Sequence, residues 1–175
     1  EFKIENIDVL QYTPNVWDYK VIANIPYYIT SPILQKFLYD VEIPAKTMVI
    51  LMQKDVWDKI LSNKSSVLSL FIKKKCSVSQ IVIVPNTCFV PPPKVQSSVL
   101  KFDYISKYEH VDDKTFLDFI KKCFAQPRKK LLNNLSAFWY SKEHISGVIN
   151  KYNLWDNIRA DDLSLDQIIE IMWEF

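Results

Sequence analysis

Short apolar runs alternate with stretches of helical spacing over the first hundred residues of the chain. The runs are rich in Ile and Val and end at proline or polar residues, which is typical of strands. Between them, apolar residues recur every three or four positions, as on the buried face of a helix. The pattern predicts strands at 3–10, 19–25, 45–53, 79–85 and 97–104, and helices at 31–41, 54–61 and 67–76.

Three local signals refine this pattern. Ser31 followed by Pro32 predicts a helix N-cap and a first helical residue. The continuous apolar run at 45–53 predicts a strand that is buried on both faces. Residues 89–96 contain three consecutive prolines and predict an extended polyproline segment between two strands. The β-α-β-α-β order predicts an α/β sheet with an antiparallel strand pair near its end.

The pattern becomes helical after about residue 106. Amphipathic spacing predicts helices at 112–126, 143–153 and 164–175, and Pro127 either breaks the first of these or begins another at 127–140. This change of pattern predicts two domains. They are an α/β domain at 1–105 and a small all-α domain at 106–175.

Composition excludes several classes of protein. Of the 175 residues, 49% are hydrophobic, which excludes intrinsic disorder and provides for a sizeable core. The three cysteines form no CxxC pair, so we expect reduced thiols and, with only two histidines, no metal site. We expect neither a membrane span nor a signal peptide. The single glycine, Gly147, excludes a P-loop or a GxGxxG loop within these residues, because both need several glycines.

Charge is distributed unevenly along the chain. Residues 59–142 hold fifteen Lys or Arg against five Asp or Glu, whereas residues 143–175 hold two basic and seven acidic residues. No carboxylate occurs between Lys59 and Lys101. Such a block indicates a surface that faces a polyanion such as nucleic acid. The alternative is a solvated face in a lysine-rich protein, because 20 of the 22 basic residues are lysine.

The turn Asn24-Ile25-Pro26-Tyr27 directly follows a predicted strand. In an open α/β sheet, ligands bind beyond the carboxyl ends of the strands. The exocyclic amine of a nucleobase is a poor nucleophile, because its lone pair is delocalised into the ring. Two fixed acceptors, the Asn24 side-chain oxygen and the Ile25 carbonyl, can bind its two N–H groups, while Pro26 locks the turn and Tyr27 offers a flat face to an extruded base. The alternative is an ordinary turn that ends a strand.

Four longer segments place this turn in a wider context. Together they resemble the ribosomal RNA adenine N6,N6-dimethyltransferase family, which methylates two adjacent adenines near the end of small-subunit rRNA. The family's N-[IL]-P-[YF] motif matches residues 24–27, and its F-x-P-P-P-K-V-x-S-x-V element matches residues 89–99. Its basic F-x-x-R-R-K helix matches from Phe124, with Pro127 where an arginine is common. The segments are, in order, NIPYYITSPI, LMQKDVWDKI, FVPPPKVQSSVL and FAQPRKKLLNNL.

The resemblance implies a role for each matched residue. Asn24 and the Ile25 carbonyl orient the target amine, Tyr27 stacks on the base, and Phe89 closes the other face of the base pocket. Asp8 contacts the adenine amine of the cofactor S-adenosylmethionine, and Asn24 also lies against its methionine end. Outside the resemblance, Phe89 is an ordinary core aromatic and Asp8 caps the end of a strand.

The implied fold is the C-terminal part of a Rossmann-like, S-adenosylmethionine-dependent methyltransferase domain, followed by a small all-α domain. The family's E-x-G-x-G-x-L loop, which holds the methionine part of the cofactor, has no counterpart among these residues. The acidic residue that holds the cofactor ribose is also missing. We therefore expect that the N-terminal part of the enzyme is absent, that the cofactor site is incomplete, and that this chain alone is inactive.

The basic block supplies the candidate contacts to RNA phosphates. The alternative for the cluster around residues 121–130 is a solvated helix face. The aromatic residues Trp139, Trp155 and Trp173 have helical spacing and are expected in the core rather than as base-stacking platforms. The candidate RNA-binding residues are Lys73, Lys74, Lys75, Lys94, Lys121, Lys122, Arg128, Lys129 and Lys130.

The predicted function is methylation, in particular dimethylation, of adenine N6 in small-subunit rRNA during ribosome maturation. The partners are then small-subunit rRNA and the pre-ribosomal subunit, in the cytoplasm, with no membrane and no metal. Two alternatives stay open. One is a large-subunit rRNA adenine methyltransferase of the antibiotic-resistance type, and the other is a non-catalytic RNA-binding assembly factor.

Overall fold

The computed structural model describes residues 3–138 and 140–175, except for the side chain of Tyr27. Four strands and seven α-helices follow one another in these residues. The strands are β1 (Lys20–Asn24), β2 (Thr47–Gln53), β3 (Cys76–Val84) and β4 (Ser97–Tyr104). The helices are α1 (Thr30–Tyr39), α2 (Lys54–Leu61), α3 (Val67–Lys75), α4 (Asp113–Cys123), α5 (Leu131–Ser136), α6 (Lys142–Lys151) and α7 (Leu165–Met172). Short 3₁₀ helices lie at Tyr27–Ile29, Asn86–Cys88 and Ala160–Asp162.

The four strands form one mixed sheet in the order β1-β2-β4-β3. β1 and β2 are parallel, and β4 is antiparallel to both of its neighbours, β2 and β3. This confirms the predicted α/β sheet with antiparallel pairing near its end. The long connection between β1 and β2 contains α1, as a parallel pair requires.

The core of the sheet is centred on β2. Its residues Met48, Ile50 and Met52 have no exposed surface, whereas the alternate positions are only half-buried. The prediction that both faces of this strand are fully buried therefore holds for one face. Helix α1 buries its apolar side, and the ring of Phe37 lies edge-on to that of Tyr19 at 6.3 Å between centroids. Each fully buried side chain of this size stabilises the fold by about 1.5–3 kcal/mol.

The predicted strand at 3–10 is wrong. This segment has no regular secondary structure, and its apolar residues stay in solvent, with Ile4 95% and Ile7 50% exposed. A strand needs a hydrogen-bonded neighbour to be stable, and β1 pairs with β2 and with no other strand of the described residues. Alternating apolar residues alone therefore did not produce a strand here.

Two predicted helix starts also differ from the structure. Helix α1 begins at Thr30, one residue before Ser31, because the 3₁₀ turn at Tyr27–Ile29 leads directly into it. Ser31 is thus inside the helix and is not its N-cap, and Pro32 is tolerated because it lies in the first turn. Helix α5 begins only at Leu131, and residues 127–130 form a turn instead of the predicted start of the helix.

The chain divides into two compact units. The first consists of the residues up to Trp57 together with Lys75–Ile105, and the second consists of Asp58–Lys74 together with Ser106–Phe175. The units share the break after residue 105 with the predicted domains, but residues 58–74 belong to the helical unit. Backbone bonds show why, because the Ser65 amide donates to the Asp161 carbonyl at 2.8 Å. The domain limits 1–105 and 106–175 stay a prediction.

Helix caps define the elements of the helical unit. The Asp112 carboxylate accepts from the Thr115 amide at 2.7 Å, and the Ser141 hydroxyl accepts from the His144 amide at 3.1 Å. Ser164 and Gln167 form a reciprocal capping box at the start of α7. Each cap of this kind contributes about 1 kcal/mol, so local sequence determines where these helices begin.

Candidate functional site

The turn at residues 24–27 lies at the carboxyl end of β1, as predicted. Asn24 is the last residue of the strand, where it pairs with Leu51 of β2, and it is exposed. Its side chain makes no hydrogen bond to another described residue. The Pro26 carbonyl accepts from the Ile29 amide at 3.1 Å and so closes the 3₁₀ turn that leads into α1. The sheet thus fixes the backbone of Asn24, and its side-chain amide is available to a ligand.

The loop that carries Phe89 lies at the same end of the sheet as Asn24. Gln53 of β2 pairs with Ser97 of β4, which pairs with Val84 of β3, so the loop at 85–96 begins and ends at this edge. The Lys54 amide donates to the Gln96 carbonyl at 3.0 Å and fastens the loop to the start of α2. Phe89 is half-buried and has an extended backbone, directly after the 3₁₀ helix at Asn86–Cys88.

The pairing register of the strands gives the width of this edge of the sheet. Asn24 lies in one cross-sheet row with Leu51, Val99 and Val82, which spans three strand spacings or about 14 Å. The loop at 85–96 leaves and re-enters the sheet within this width, at the edge that carries Asn24. The stacking role of Phe89 stays a prediction, and the stacking face predicted for Tyr27 lies outside the described residues.

Asp8 occupies an exposed turn and not the end of a strand. Its carboxylate accepts from the Leu10 amide at 3.0 Å, and its carbonyl accepts from the amides of Gln11 and Tyr12 at 2.9 and 3.2 Å. The alternative of a strand-end cap is therefore wrong, because there is no strand to cap. The predicted contact of Asp8 with the adenine of a cofactor stays a prediction.

The predicted RNA contact of Lys74 is wrong. This side chain is 1% exposed, and its ammonium donates to the Val111 carbonyl at 2.8 Å and forms an ion pair with Asp113. It also lies 5.6 Å from the centre of the Phe116 ring. A lysine held in this way joins α3 to the start of α4 inside the helical unit and cannot reach a phosphate.

The other predicted lysines differ in their surroundings. Lys75 lies over the Tyr39 ring at 5.1 Å, and Lys73 donates to the Ser62 carbonyl at 3.4 Å. Lys122 forms an ion pair with Asp118 at 2.8 Å, and this hydrogen bond raises the pKa of the lysine. Lys94 and Lys121 are exposed. Each of these RNA contacts stays a prediction.

Arg128, Lys129 and Lys130 lie together in an exposed turn, which we call the cationic turn. Among the described residues, no ion pair engages any of the three side chains. The turn has a defined shape, because the Lys129 amide donates to the Gln126 carbonyl at 2.9 Å and the Leu131 amide donates to the Ile158 carbonyl at 2.8 Å. These residues precede α5, so they form a solvent-exposed turn and not a helix face, and their contact with RNA stays a prediction.

Buried Asn134 holds the segment that leads into the cationic turn. It is 2% exposed, and its Nδ2 donates to the carbonyls of Cys123 and Gln126 at 2.7 and 3.1 Å. Its Oδ1 accepts from the Gln126 amide at 3.1 Å. The side chain thus satisfies three backbone groups after the end of α4, where a helix leaves carbonyls without partners.

Two of the three cysteines, Cys76 and Cys123, are buried. Burial raises the pKa of the Cys76 thiol to about 12 and also raises the pKa of the Cys123 thiol, so both stay protonated at neutral pH. All three cysteines are free thiols.

Over residues 3–138 and 140–175, no helix is long and apolar enough to cross a membrane.

The sequence model of one protein family, ribosomal RNA adenine dimethylase, matches residues 3–175. The chain belongs to the ribosomal RNA adenine dimethylase family. The resemblance carried by residues 24–33, 51–60, 89–100 and 124–135 is thereby confirmed.

Curated relatives of this ribosomal RNA adenine dimethylase chain are longer than the chain itself. It is 38% identical to the ribosomal RNA small subunit methyltransferase A of Mycoplasma mobile over 94% of this chain and 66% of the relative. It is 35% identical to the protein of the same name from Caldanaerobacter subterraneus subsp. tengcongensis over 96% of this chain and 65% of the relative. The chain thus spans just under two thirds of the length of these relatives.

Solved structures confirm the predicted fold class of this adenine dimethylase chain. A dimethyladenosine transferase from Plasmodium falciparum superimposes with a TM-score of 0.80 at 23% identity, over 98% of this chain and 71% of that one. The 23S rRNA methyltransferase ErmE superimposes with a TM-score of 0.75 at 18% identity, over 97% of this chain and 70% of that one. At these identities the similarity establishes a Rossmann-like methyltransferase fold.

Two residues of this dimethylase chain have structural roles that the sequence pattern did not indicate. Asn134 occupies an apolar position of α5, between buried Leu131 and Leu135. A polar residue in the apolar stripe of a helix is the signal that could have identified it. Lys74 carried no such signal, because it stands in a run of three lysines.

Proposed function

We propose that this chain contributes the base-orienting turn and an RNA-binding surface to an enzyme that methylates adenine N6 in small-subunit rRNA. The observation that carries the proposal is the exposed, unbonded Asn24 amide at the carboxyl end of β1, inside the family's N-I-P-Y motif. Because the curated relatives are longer than this chain, the activity, substrate and partners of the whole protein are proposed here.

The chemistry requires an oriented amine more than a strong base. The Asn24 side-chain oxygen and the Ile25 carbonyl accept the two N–H groups of the target amine and favour a pyramidal nitrogen, whose lone pair then points at the methyl donor. Such orientation of a reactant can lower a barrier by several kcal/mol. A methylated amine keeps one N–H group, so the same acceptors can hold it for a second transfer.

The residues of this chain could bind only part of the cofactor. When bound, S-adenosylmethionine supplies a methyl group on a sulfonium, which is a good leaving group. The exposed Asp8 carboxylate would accept from the cofactor's adenine amine, and the unbonded Asn24 amide would lie against its methionine end. With one glycine in the sequence, the chain has no glycine-rich loop for the methionine carboxylate and amine.

The partner is small-subunit rRNA, within the maturing ribosomal subunit in the cytoplasm. The cationic turn supports this partner, because its three side chains are exposed and have no ion pair among the described residues. Exposed Lys94 and Lys121 are further candidate phosphate contacts. Phosphate contacts position a protein on RNA without reading its sequence, so the choice of adenine must come from other contacts.

The experiment is mass spectrometry of adenines after incubation of the natural protein that carries these residues with S-adenosylmethionine and unmethylated rRNA. Small-subunit and large-subunit rRNA are offered separately. We expect N6-methylated adenine in small-subunit rRNA alone. Methylation confined to large-subunit rRNA would support the antibiotic-resistance type of enzyme, and RNA binding without any methylation would support an assembly factor.

A further inference from the structure

Trp155 is 63% exposed, although its spacing predicts a core residue. It lies between α6 and the 3₁₀ helix at Ala160–Asp162. Trp173 is also exposed, at 62%, so it too is not a core residue, and Trp139 lies outside the described residues. Single exposed aromatic residues are common, so the surroundings of Trp155 decide whether it can belong to a binding surface.

Backbone hydrogen bonds place Trp155 beside the cationic turn within the helical unit. The Ile158 amide donates to the Trp155 carbonyl at 2.9 Å, and the Leu131 amide donates to the Ile158 carbonyl at 2.8 Å. Leu131 directly follows Lys130, the last residue of the cationic turn. Two consecutive backbone hydrogen bonds therefore connect the segment that carries the exposed indole to the segment that carries the cationic turn.

A polar cavity of about 520 Å³ opens at the same place. Lys130, Asn133, Asn150 and Asp156 are among the residues that line it. The two amides can donate to and accept from a base edge, and the Asp156 carboxylate can accept from its N–H groups. The same carboxylate repels a phosphate, so a phosphate is favoured on the cationic turn and not in the cavity.

We infer that this surface is a binding site for one unpaired nucleotide of the RNA. Its phosphate contacts the cationic turn, its base stacks on Trp155, and the base edge faces Asn150 and Asp156 in the cavity. This inference rests on the proposed RNA-binding function and adds to it a recognition of single-stranded RNA. Stacking on an aromatic side chain suits any base, because every base has a π-face.

The test compares two tryptophans of equal exposure. Trp155→Ala and Trp173→Ala are made in the full chain, and binding of a short single-stranded RNA is measured by fluorescence anisotropy across a salt titration. We expect Trp155→Ala to bind about tenfold more weakly, with an unchanged salt slope because stacking carries no charge. Trp173→Ala is expected to bind like the unmodified chain, and Trp155→Tyr is expected to restore most of the affinity.

The outcomes separate this inference from the proposed function. A blunt RNA duplex of the same sequence is the matched ligand, and its affinity should not change in Trp155→Ala. If the unmodified chain binds the RNA but Trp155→Ala and Trp173→Ala are alike, the stacking site is wrong while RNA binding stands. If the unmodified chain binds neither RNA, both the RNA-binding proposal and this inference are wrong. Equal melting temperatures of the variants exclude unfolding as the cause.

Discussion

The runs Lys73–Lys75 and Arg128–Lys130 carry the same three charges in the sequence, but they have opposite surroundings in the structure. Lys74, at the centre of the first run, is 1% exposed and ion-paired with Asp113. All three residues of the second run are exposed and have no ion pair among the described residues. A count of charges along the sequence treats the two runs as equivalent.

Secondary structure explains the difference. The first run lies at the end of α3, where consecutive side chains point about 100° apart, so three neighbours cannot share one face. One of them must turn towards the core, and it is stabilised there by a carboxylate and a carbonyl. The second run lies in a turn, where all three side chains can reach water. Basic residues in turns are therefore better candidates for RNA contacts than basic residues inside amphipathic helices.

The largest effect on RNA affinity is expected from reversal of charge in the cationic turn. Replacement of Arg128, Lys129 and Lys130 by Glu removes three phosphate-binding cations worth about 1 kcal/mol each and should weaken RNA binding about 100-fold. The salt slope should become shallower by nearly one for each phosphate that the protein no longer neutralises. Anisotropy titrations at several salt concentrations measure both quantities. The control is the exposed pair Lys114→Glu with Lys142→Glu, which reverses two charges elsewhere in the same unit. If the triple variant had the salt slope of the unmodified chain, the turn would not belong to the RNA interface.

The buried lysine should affect stability and not RNA binding. Lys74→Met keeps the aliphatic stem but leaves Asp113 and the Val111 carbonyl without their ammonium partner. We expect a loss of about 2–3 kcal/mol in the free energy of unfolding, below the cost of a fully buried pair because Asp113 is partly exposed. Urea unfolding measures it, with Lys73→Met as the control. If Lys74→Met were as stable as the unmodified chain but bound RNA more weakly, Lys74 would contact RNA and its structural role would be wrong.

A smaller loss of stability is expected when Asn134, which holds the segment before the cationic turn, is replaced. Asn134→Ala removes three hydrogen bonds to backbone groups of Cys123 and Gln126 and should lower the free energy of unfolding by about 1–2 kcal/mol. RNA affinity should fall as well, because the cations are then less well ordered. The neighbour Asn133 is exposed, so Asn133→Ala serves as the control. Unchanged stability of Asn134→Ala would show that the turn is held by other contacts.

The smallest change in stability is expected at Asp166, a carboxylate at the start of α7. Hydrogen bonds from Lys107 and from the Tyr108 hydroxyl hold the pKa of Asp166 below its usual range. This carboxylate therefore stabilises the fold above about pH 4, and the contribution disappears as the pH falls through its lowered pKa. Asp166→Asn should lower stability slightly at pH 7 and by less at pH 2, measured by urea unfolding at both pH values. An equal loss of stability at both pH values would contradict a stabilising role of the bonds from Lys107 and Tyr108 to this carboxylate.

The alternation of strands and helices could be predicted because apolar spacing is a local property of the sequence. The strand predicted at 3–10 failed because a strand also needs a neighbour, and spacing contains no information about one. The helix start predicted at Pro127 failed because Leu131 bonds to Ile158, a contact between distant parts of the sequence. Local pattern thus determined the elements and the capped helix starts, whereas the start of α5 involves a long-range hydrogen bond.

The candidate site shows the same division. The turn at 24–27 could be predicted because the motif is contiguous and follows a strong strand pattern. Residues 85–96 lie at the same edge of the sheet as Asn24 because of the pairing register of β2, β3 and β4. The spacing of apolar residues in the sequence does not reveal this register. The structural role of Asn134 depends on carbonyls eight and eleven residues away, so it too could only be seen in the structure.

The most direct test of the account is the role of Asn24 in methyl transfer. Asn24→Ala is compared with Asn15→Ala, an exposed asparagine outside the motif, in the natural protein that carries these residues. Single-turnover transfer of labelled methyl groups to small-subunit rRNA is measured beside RNA affinity. We predict that Asn24→Ala lowers the transfer rate about 100-fold or more and leaves RNA affinity unchanged, because one of two orienting acceptors is absent. A transfer rate equal to that of Asn15→Ala would contradict the account.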